Sequence, residues 1–86
     1  MKRVKTRTAR ITVDENDIVI IKILEGKEMD LGDAADNFLV IKHLTEGMRC
    51  LKLIDARVNW SIDKKAQSFL AGKDVKERTR ARAIVI

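Results

Sequence analysis

Apolar side chains along the chain fall into separate β-type runs and into stretches with helical spacing. The first two runs, Ile11–Val13 and Ile18–Leu24, are rich in β-branched residues and flank the polar residues 14–17, a pattern typical of a hairpin. The second run is almost continuously apolar, which predicts a central strand that is buried on both faces. Two further runs, Met48–Ile54 and about Arg80–Ile86, predict the remaining strands.

The first stretch with helical spacing has a clear start and a clear end. Asp30 is a favourable N-cap, and Asp33 follows three positions later, where a carboxylate meets free backbone N–H groups. Gly47 favours the left-handed conformation that closes many helices. The residues at helical spacing between them form one apolar face: Leu31, Ala34, Ala35, Phe38, Ile41 and either Leu44 or Thr45. We predict a helix from Asp30 to Gly47.

A second helix begins near Ser61 or Asp63 and ends at Gly72, and residues 73–79 are either a loop or one more helical turn. The order is then strand, strand, helix, strand, helix, strand. Strand–helix–strand crossovers are right-handed and make their strands parallel. We predict one α/β domain over residues 1–86 with a small mixed sheet. Its first strand is antiparallel to the second, the others are parallel, and the helices cover one face or the two faces unequally.

The chain ends on the apolar run Ala83-Ile84-Val85-Ile86, with no turn residue, cap or charge after it. A fully buried strand has this composition. We therefore expect the domain to continue beyond Ile86, so that its C-terminal part is missing here, and a natural terminal strand is the alternative. In the first case the last strand leaves an uncovered edge, which favours self-association as a homodimer.

Basic residues are concentrated at the two ends of the chain. The net charge is +5. Residues 1–10 hold five Lys or Arg and no acid, and residues 76–86 hold four against one acid. Residues 11–75 hold nine Lys or Arg against twelve acids. Residues 1–8 form a basic N-terminal segment that could attract nucleic acid or an acidic partner. Arg78, Arg80 and Arg82 are spaced by two, so they are expected on one strand face.

Reactive side chains do not form a catalytic or metal-binding pattern. Cys50 lies in an apolar run, which predicts a small buried side chain. His43 has no carboxylate or cysteine at ligand spacing, and the glycines form no phosphate-binding loop. No apolar run approaches the ~20 residues of a membrane span. We predict a cytoplasmic protein that is not an enzyme and has no cofactor.

The loop after the third strand is the richest in polar side chains. In open α/β sheets, ligands and partners meet the loops beyond the carboxyl ends of parallel strands. Asp55 and Arg57 are expected to pair and fix this loop. Trp60 is either an anchor for a partner, since Trp concentrates binding energy at interfaces, or a cover for the core.

The order of elements and four stretches of sequence resemble a group of small bacterial STAS/SEC14-like proteins, which are similar to anti-sigma-factor antagonists. These stretches are Ile18–Leu24, Met29–Ala34, Leu53–Arg57 and Ser61–Ala66. The resemblance covers about residues 9–86, and no single motif in it is diagnostic. It implies a STAS-like fold, with a further helix and short strand after the last strand seen here.

The resemblance also implies a function. In anti-sigma-factor antagonists, a Ser or Thr after an Asp begins the helix that follows the third strand and is phosphorylated by a partner kinase. Here the Asp falls at Asp63 and the acceptor position at Lys64, so we predict no phosphorylation switch at the usual position. The favoured function is a non-catalytic protein-interaction or regulatory module. Its partner-binding residues share the loop and the start of the second helix: Arg57, Asn59, Trp60, Ser61, Asp63 and Lys64. The alternatives are a small apolar, lipid-like ligand in a SEC14-like cleft, and nucleic-acid binding through the basic ends.

Overall fold

The computed structural model describes residues 2–86 as a sheet with helices packed on it. The strands, in chain order, are β1 (Lys2–Lys5), β2 (Ala9–Val13), β3 (Ile18–Ile23), β4 (Glu28–Met29), β5 (Cys50–Asp55), β6 (Ser61–Ile62) and β7 (Thr79–Val85). The helices are α1 (Leu31–Leu44), α2 (Lys64–Leu70) and α3 (Lys73–Glu77). Residues 73–79, which the sequence left open between a loop and a helical turn, thus contain a short helix.

The main sheet has five strands in the order β1-β2-β3-β5-β7. β2 is antiparallel to β3, and β3, β5 and β7 are mutually parallel. The predicted α/β class, the mixed sheet and the direction of its strands are therefore confirmed. Strands β4 and β6 form a separate parallel pair that the sequence did not predict.

The basic N-terminal segment contains strand β1, which lies antiparallel to β2 at one edge of the sheet. Val4 lies opposite Ile11 and is the only apolar residue of the strand. With one apolar residue among lysines and an arginine, the strand has no alternation that a sequence pattern can detect. The ammonium group of Lys2 donates a hydrogen bond of 2.9 Å to the carbonyl oxygen of Leu44, which ties this edge to the end of α1.

All three helices pack on the same face of the sheet, which we call the covered face; we call the other the open face. Side chains of α1, α2 and α3 meet the inward residues of β3, β5 and β7 on the covered face. In β3, Val19, Ile21 and Ile23 are buried there, whereas Ile18 and Ile20 on the open face are half-buried. The expectation that this strand is buried on both faces was therefore wrong, because none of the helices within residues 2–86 covers the open face.

The predicted N-cap of α1 is confirmed, whereas the C-cap is Thr45 and the first left-handed residue after the helix is Glu46. The Asp30 side chain accepts from the Asp33 backbone N–H at 2.8 Å, and Asp33 accepts from the Asp30 N–H at 3.0 Å. Gly47 follows the helix with φ of +76°. The guanidinium of Arg7 donates to both carboxylate oxygens of Asp33 and lowers the pKa of this buried carboxyl to about 2. The start of α1 is thereby fastened to the turn between β1 and β2.

The arginines near the C-terminus do not share one strand face, contrary to the sequence prediction. Arg78 precedes the strand as the C-cap of α3, and its guanidinium donates to the carbonyl oxygen of Gly47 at 2.8 Å. The pairing of β7 with β5 shifts register at Cys50 and Leu51. Arg80 falls within this shift, so the simple alternation on which the prediction relied holds only from residue 81 onward.

Among residues 2–86, no helix is both long and apolar enough to cross a membrane.

Candidate functional site

The six residues predicted to bind a partner form what we call the loop surface: Arg57, Asn59, Trp60, Ser61, Asp63 and Lys64. Their backbone is held by the β4–β6 pair. The Gly26 N–H donates to the Asn59 carbonyl at 2.7 Å, and the Ser61 N–H donates to the Lys27 carbonyl at 3.1 Å. The structure thus joins the loop that precedes α1 to the loop that precedes α2, and both lie at the carboxyl ends of parallel strands.

Arg57 is held by the residue that ends β5. Its Nε and Nη2 atoms each donate to the Asp55 carboxylate at 2.9 Å, and the Arg57 backbone N–H also donates to Asp55. These hydrogen bonds lower the pKa of Asp55 to about 2. The predicted Asp55–Arg57 pair is therefore present, and it fixes the direction of an exposed guanidinium.

Two members of the loop surface have structural roles. Asp63 is the N-cap of α2, since its carboxylate accepts from the Ala66 N–H at 2.8 Å. Trp60 is half-buried and packs against the hydrophobic core. The other four side chains are exposed: Arg57, Asn59, Ser61 and Lys64. The loop surface is thus a fixed backbone that presents four polar side chains.

A shallow apolar depression of about 470 Å³ adjoins Lys64. Its apolar lining comes from Leu31, which is 42% exposed, and from Phe69. The ring of Phe69 is held edge-to-face against Phe38, with 5.7 Å between ring centroids. Lys65 lies at the same depression. Neither Lys64 nor Lys65 forms an ion pair with another described residue. The sequence reasoning missed this depression, because its walls come from two different helices.

A second concavity lies on the covered face, between the sheet and the helices. We call it the inner cavity, and its volume is about 330 Å³. Lys52 of β5, Arg82 of β7 and Trp60 are among its lining residues. The position of Lys52 follows from strand alternation, because Cys50, Lys52 and Ile54 all point to the covered face. Strand alternation was therefore a signal in the sequence that could have placed this lysine toward the helices.

The single cysteine and histidine add no chemistry to these sites. Cys50 is buried, as predicted, and burial raises the pKa of its thiol. His43 is exposed in the last turn of α1. Within the described range 2–86, no three His, Cys, Asp or Glu side chains converge in a way that could hold a metal ion.

Comparison of the chain with protein-family models, with curated proteins and with solved structures found no match.

Proposed function

We propose that this protein is a non-catalytic, STAS-like interaction module that binds a protein partner at the loop surface and the adjoining depression. The observation that carries the proposal is that the loop has a fixed backbone and free side chains. Its backbone is hydrogen-bonded into the β4–β6 pair, and four of its side chains are exposed. A surface that is ordered before binding loses less conformational entropy when a partner docks.

The chemistry of the surface favours a partner with an acidic and an apolar component. Lys64 and Lys65 flank the apolar depression formed by Leu31 and Phe69. Charge complementarity contributes to the rate and specificity of association, and an apolar side chain seated in a depression contributes to affinity. A partner segment with carboxylates next to one large apolar residue fits this arrangement.

The proposal does not involve phosphotransfer. By the resemblance to anti-sigma-factor antagonists, Lys64 takes the position of their phosphoacceptor, and a lysine cannot serve as that acceptor. The partner is therefore recognised in one state of the module. Binding would be regulated through the partner or its concentration.

Nucleic-acid binding through both basic ends is less well supported. The order of strands places β1 and β7 at opposite edges of the sheet. The two basic segments therefore do not combine into one continuous phosphate-binding surface, which strong backbone binding requires.

A capture experiment in the native host tests the proposal. A tagged protein with a photo-crosslinking residue at position 59 should capture a defined partner, which is then purified and titrated against variants. We expect Lys64→Glu and Leu31→Ser each to weaken binding about tenfold or more, since each removes a central contact. Lys42→Glu is the control, because Lys42 is exposed at the opposite end of α1.

Equal affinity of all three variants for the purified partner would contradict the proposal, as would a crosslink that forms at position 42 and not at position 59. Circular dichroism of each variant confirms that it is folded.

A further inference from the structure

Three cations stand side by side on the open face of the sheet. The register places Lys5 of β1 opposite Arg10 of β2, and Arg10 opposite Lys22 of β3. Their side chains leave the open face, because the adjacent residues Ile11 and Ile21 are buried on the covered face. We call the three cations the basic row. Side chains directly opposite on neighbouring strands lie about 5 Å apart, and like charges at that separation are destabilising.

The basic row has no counter-charge among the described residues. All three of its members are exposed, and none forms an ion pair within residues 2–86. The one carboxylate that the described strands place on the open face is Asp55, which lies opposite Lys22. That carboxylate accepts two hydrogen bonds of 2.9 Å from the guanidinium of Arg57. An anionic group from another molecule would offset the repulsion within the row.

The open face beside the basic row is aliphatic. Ile20 of β3 lies in register with Leu53 of β5, and Ile18 of β3 lies in register with Leu51 of β5. Leu51 is exposed and the other three are half-buried. We call these four residues the aliphatic patch. An exposed apolar surface bordered by charged residues is typical of an interaction site.

A nucleic acid would match the basic row but not the aliphatic patch. Proteins that bind single strands on a sheet provide aromatic side chains on which the bases stack. The five strands of the main sheet, as described within residues 2–86, contain no aromatic residue. A second copy of this chain would match the patch, but it would bring the same row of cations to the interface.

We propose that the open face binds an amphipathic helix of a partner protein, with the apolar side of that helix on the aliphatic patch and a line of Asp or Glu side chains on the basic row. Neighbouring strands are about 4.8 Å apart and successive helical turns about 5.4 Å. A helix that runs across the strands therefore sets one carboxylate beside each cation. Helices of this chain already pack on the other face of the sheet, so the sheet suits a helix as its neighbour.

Fluorescence anisotropy with a labelled synthetic peptide tests the proposal. The probe is an amphipathic helix of leucine, alanine and glutamate, about 18 residues long, because shorter helices are marginal in water. A peptide of the same composition in scrambled order is its control, and an oligothymidylate of the same charge represents nucleic acid. We expect the amphipathic peptide to bind at least about tenfold more tightly than either of these.

Two pairs of variants locate the contact. Arg10→Glu should weaken binding of the amphipathic peptide at least about tenfold, and Leu51→Ser about fivefold, because each removes a contact to one side of the helix. Lys42→Glu and Leu39→Ser make the same changes at exposed positions of α1, away from the open face, and should bind the peptide like the unmodified protein. Arg10→Glu should also raise the urea midpoint of unfolding, since a carboxylate between two cations replaces repulsion with attraction.

Four results would overturn the proposal. They are a scrambled peptide that binds equally well, an oligothymidylate that binds more tightly, an Arg10→Glu variant that loses no more affinity than Lys42→Glu, and a free protein that sediments as a dimer which Leu51→Ser dissociates. The open face is separate from the loop surface, and the probe is a defined peptide, so none of these results bears on the proposed function.

Discussion

Two neighbouring residues of β5 reverse the burial that their side chains would favour. Lys52 is 8% exposed on the covered face, whereas Leu51 is 41% exposed on the open face. The register explains the exchange. Cys50 and Ile54 must face the helices to complete the core, and strand alternation then carries Lys52 inward and Leu51 outward.

The difference between the two faces teaches where this molecule tolerates an unfavourable residue. The covered face is a layer in which a charge is costly, and it still contains Lys52, which forms no ion pair within residues 2–86. The open face is exposed and still presents Leu51, Leu53 and Val85 in adjacent strands. A one-residue shift of β5 would repair both positions but would expose Ile54, so the register is fixed by the rest of the strand.

The largest expected effect comes from truncating an apolar residue on each face. Ile11 is fully buried on the covered face. We expect Ile11→Ala to lower the free energy of unfolding by about 3 kcal/mol, because it leaves a cavity. Leu51→Ala on the open face should lower it by about 1 kcal/mol or less. Urea denaturation of both variants measures the comparison, and equal losses would mean that the open face is covered in solution.

The second expected effect on the free energy of unfolding concerns the buried carboxylate of Asp33, which has hydrogen-bond partners. Asp33 pairs with Arg7 and completes the capping box of α1. We expect Asp33→Asn to lower the free energy of unfolding at neutral pH by about 1–2 kcal/mol, a value reduced because the Arg7 side chain is half exposed.

The pH dependence of that loss has a definite sign. The folded-state pKa of Asp33 is depressed from 3.8 to about 2, so its contribution is complete above the ordinary value and is lost as pH falls through about 2. The gap between the unmodified protein and Asp33→Asn should therefore close in strong acid. Asp36→Asn, an exposed change on the same helix, is the control. A gap that stays constant down to about pH 2 would show that the carboxylate charge contributes nothing.

Local signals in the sequence were sufficient for the central elements of the fold. The caps at Asp30 and Gly47, and the apolar runs of β2, β3, β5 and β7, gave the element order and the strand directions. The sequence did not reveal β1, since Val4 alone gives no alternation, or the β4–β6 pair, since two-residue strands have no period. The inner cavity combines residues from five strands and three helices, so only the tertiary arrangement brings Lys52 and Arg82 to one site.

The third expected change in the free energy of unfolding is smaller than the first two, and it is a gain in stability instead of a loss. We expect Lys52→Met to raise the free energy of unfolding by about 1 kcal/mol, because an apolar side chain replaces a lysine whose charged form is disfavoured by burial. Lys22→Met, on the open face, should change it by no more than about 0.5 kcal/mol. Thermal and urea unfolding of both variants check the comparison. Destabilisation by Lys52→Met would indicate that the ammonium has a partner in solution.

The most direct test of the central claim, that strand alternation carries a lysine of β5 to the covered side of the sheet, is the titration of Lys52 itself. Nuclear magnetic resonance of isotope-labelled lysine side chains, assigned with Lys52→Met, gives its pKa. The structure predicts a pKa below the ordinary value of 10.5, because burial disfavours the charged form. A Lys52 that titrates at the ordinary value would contradict the account.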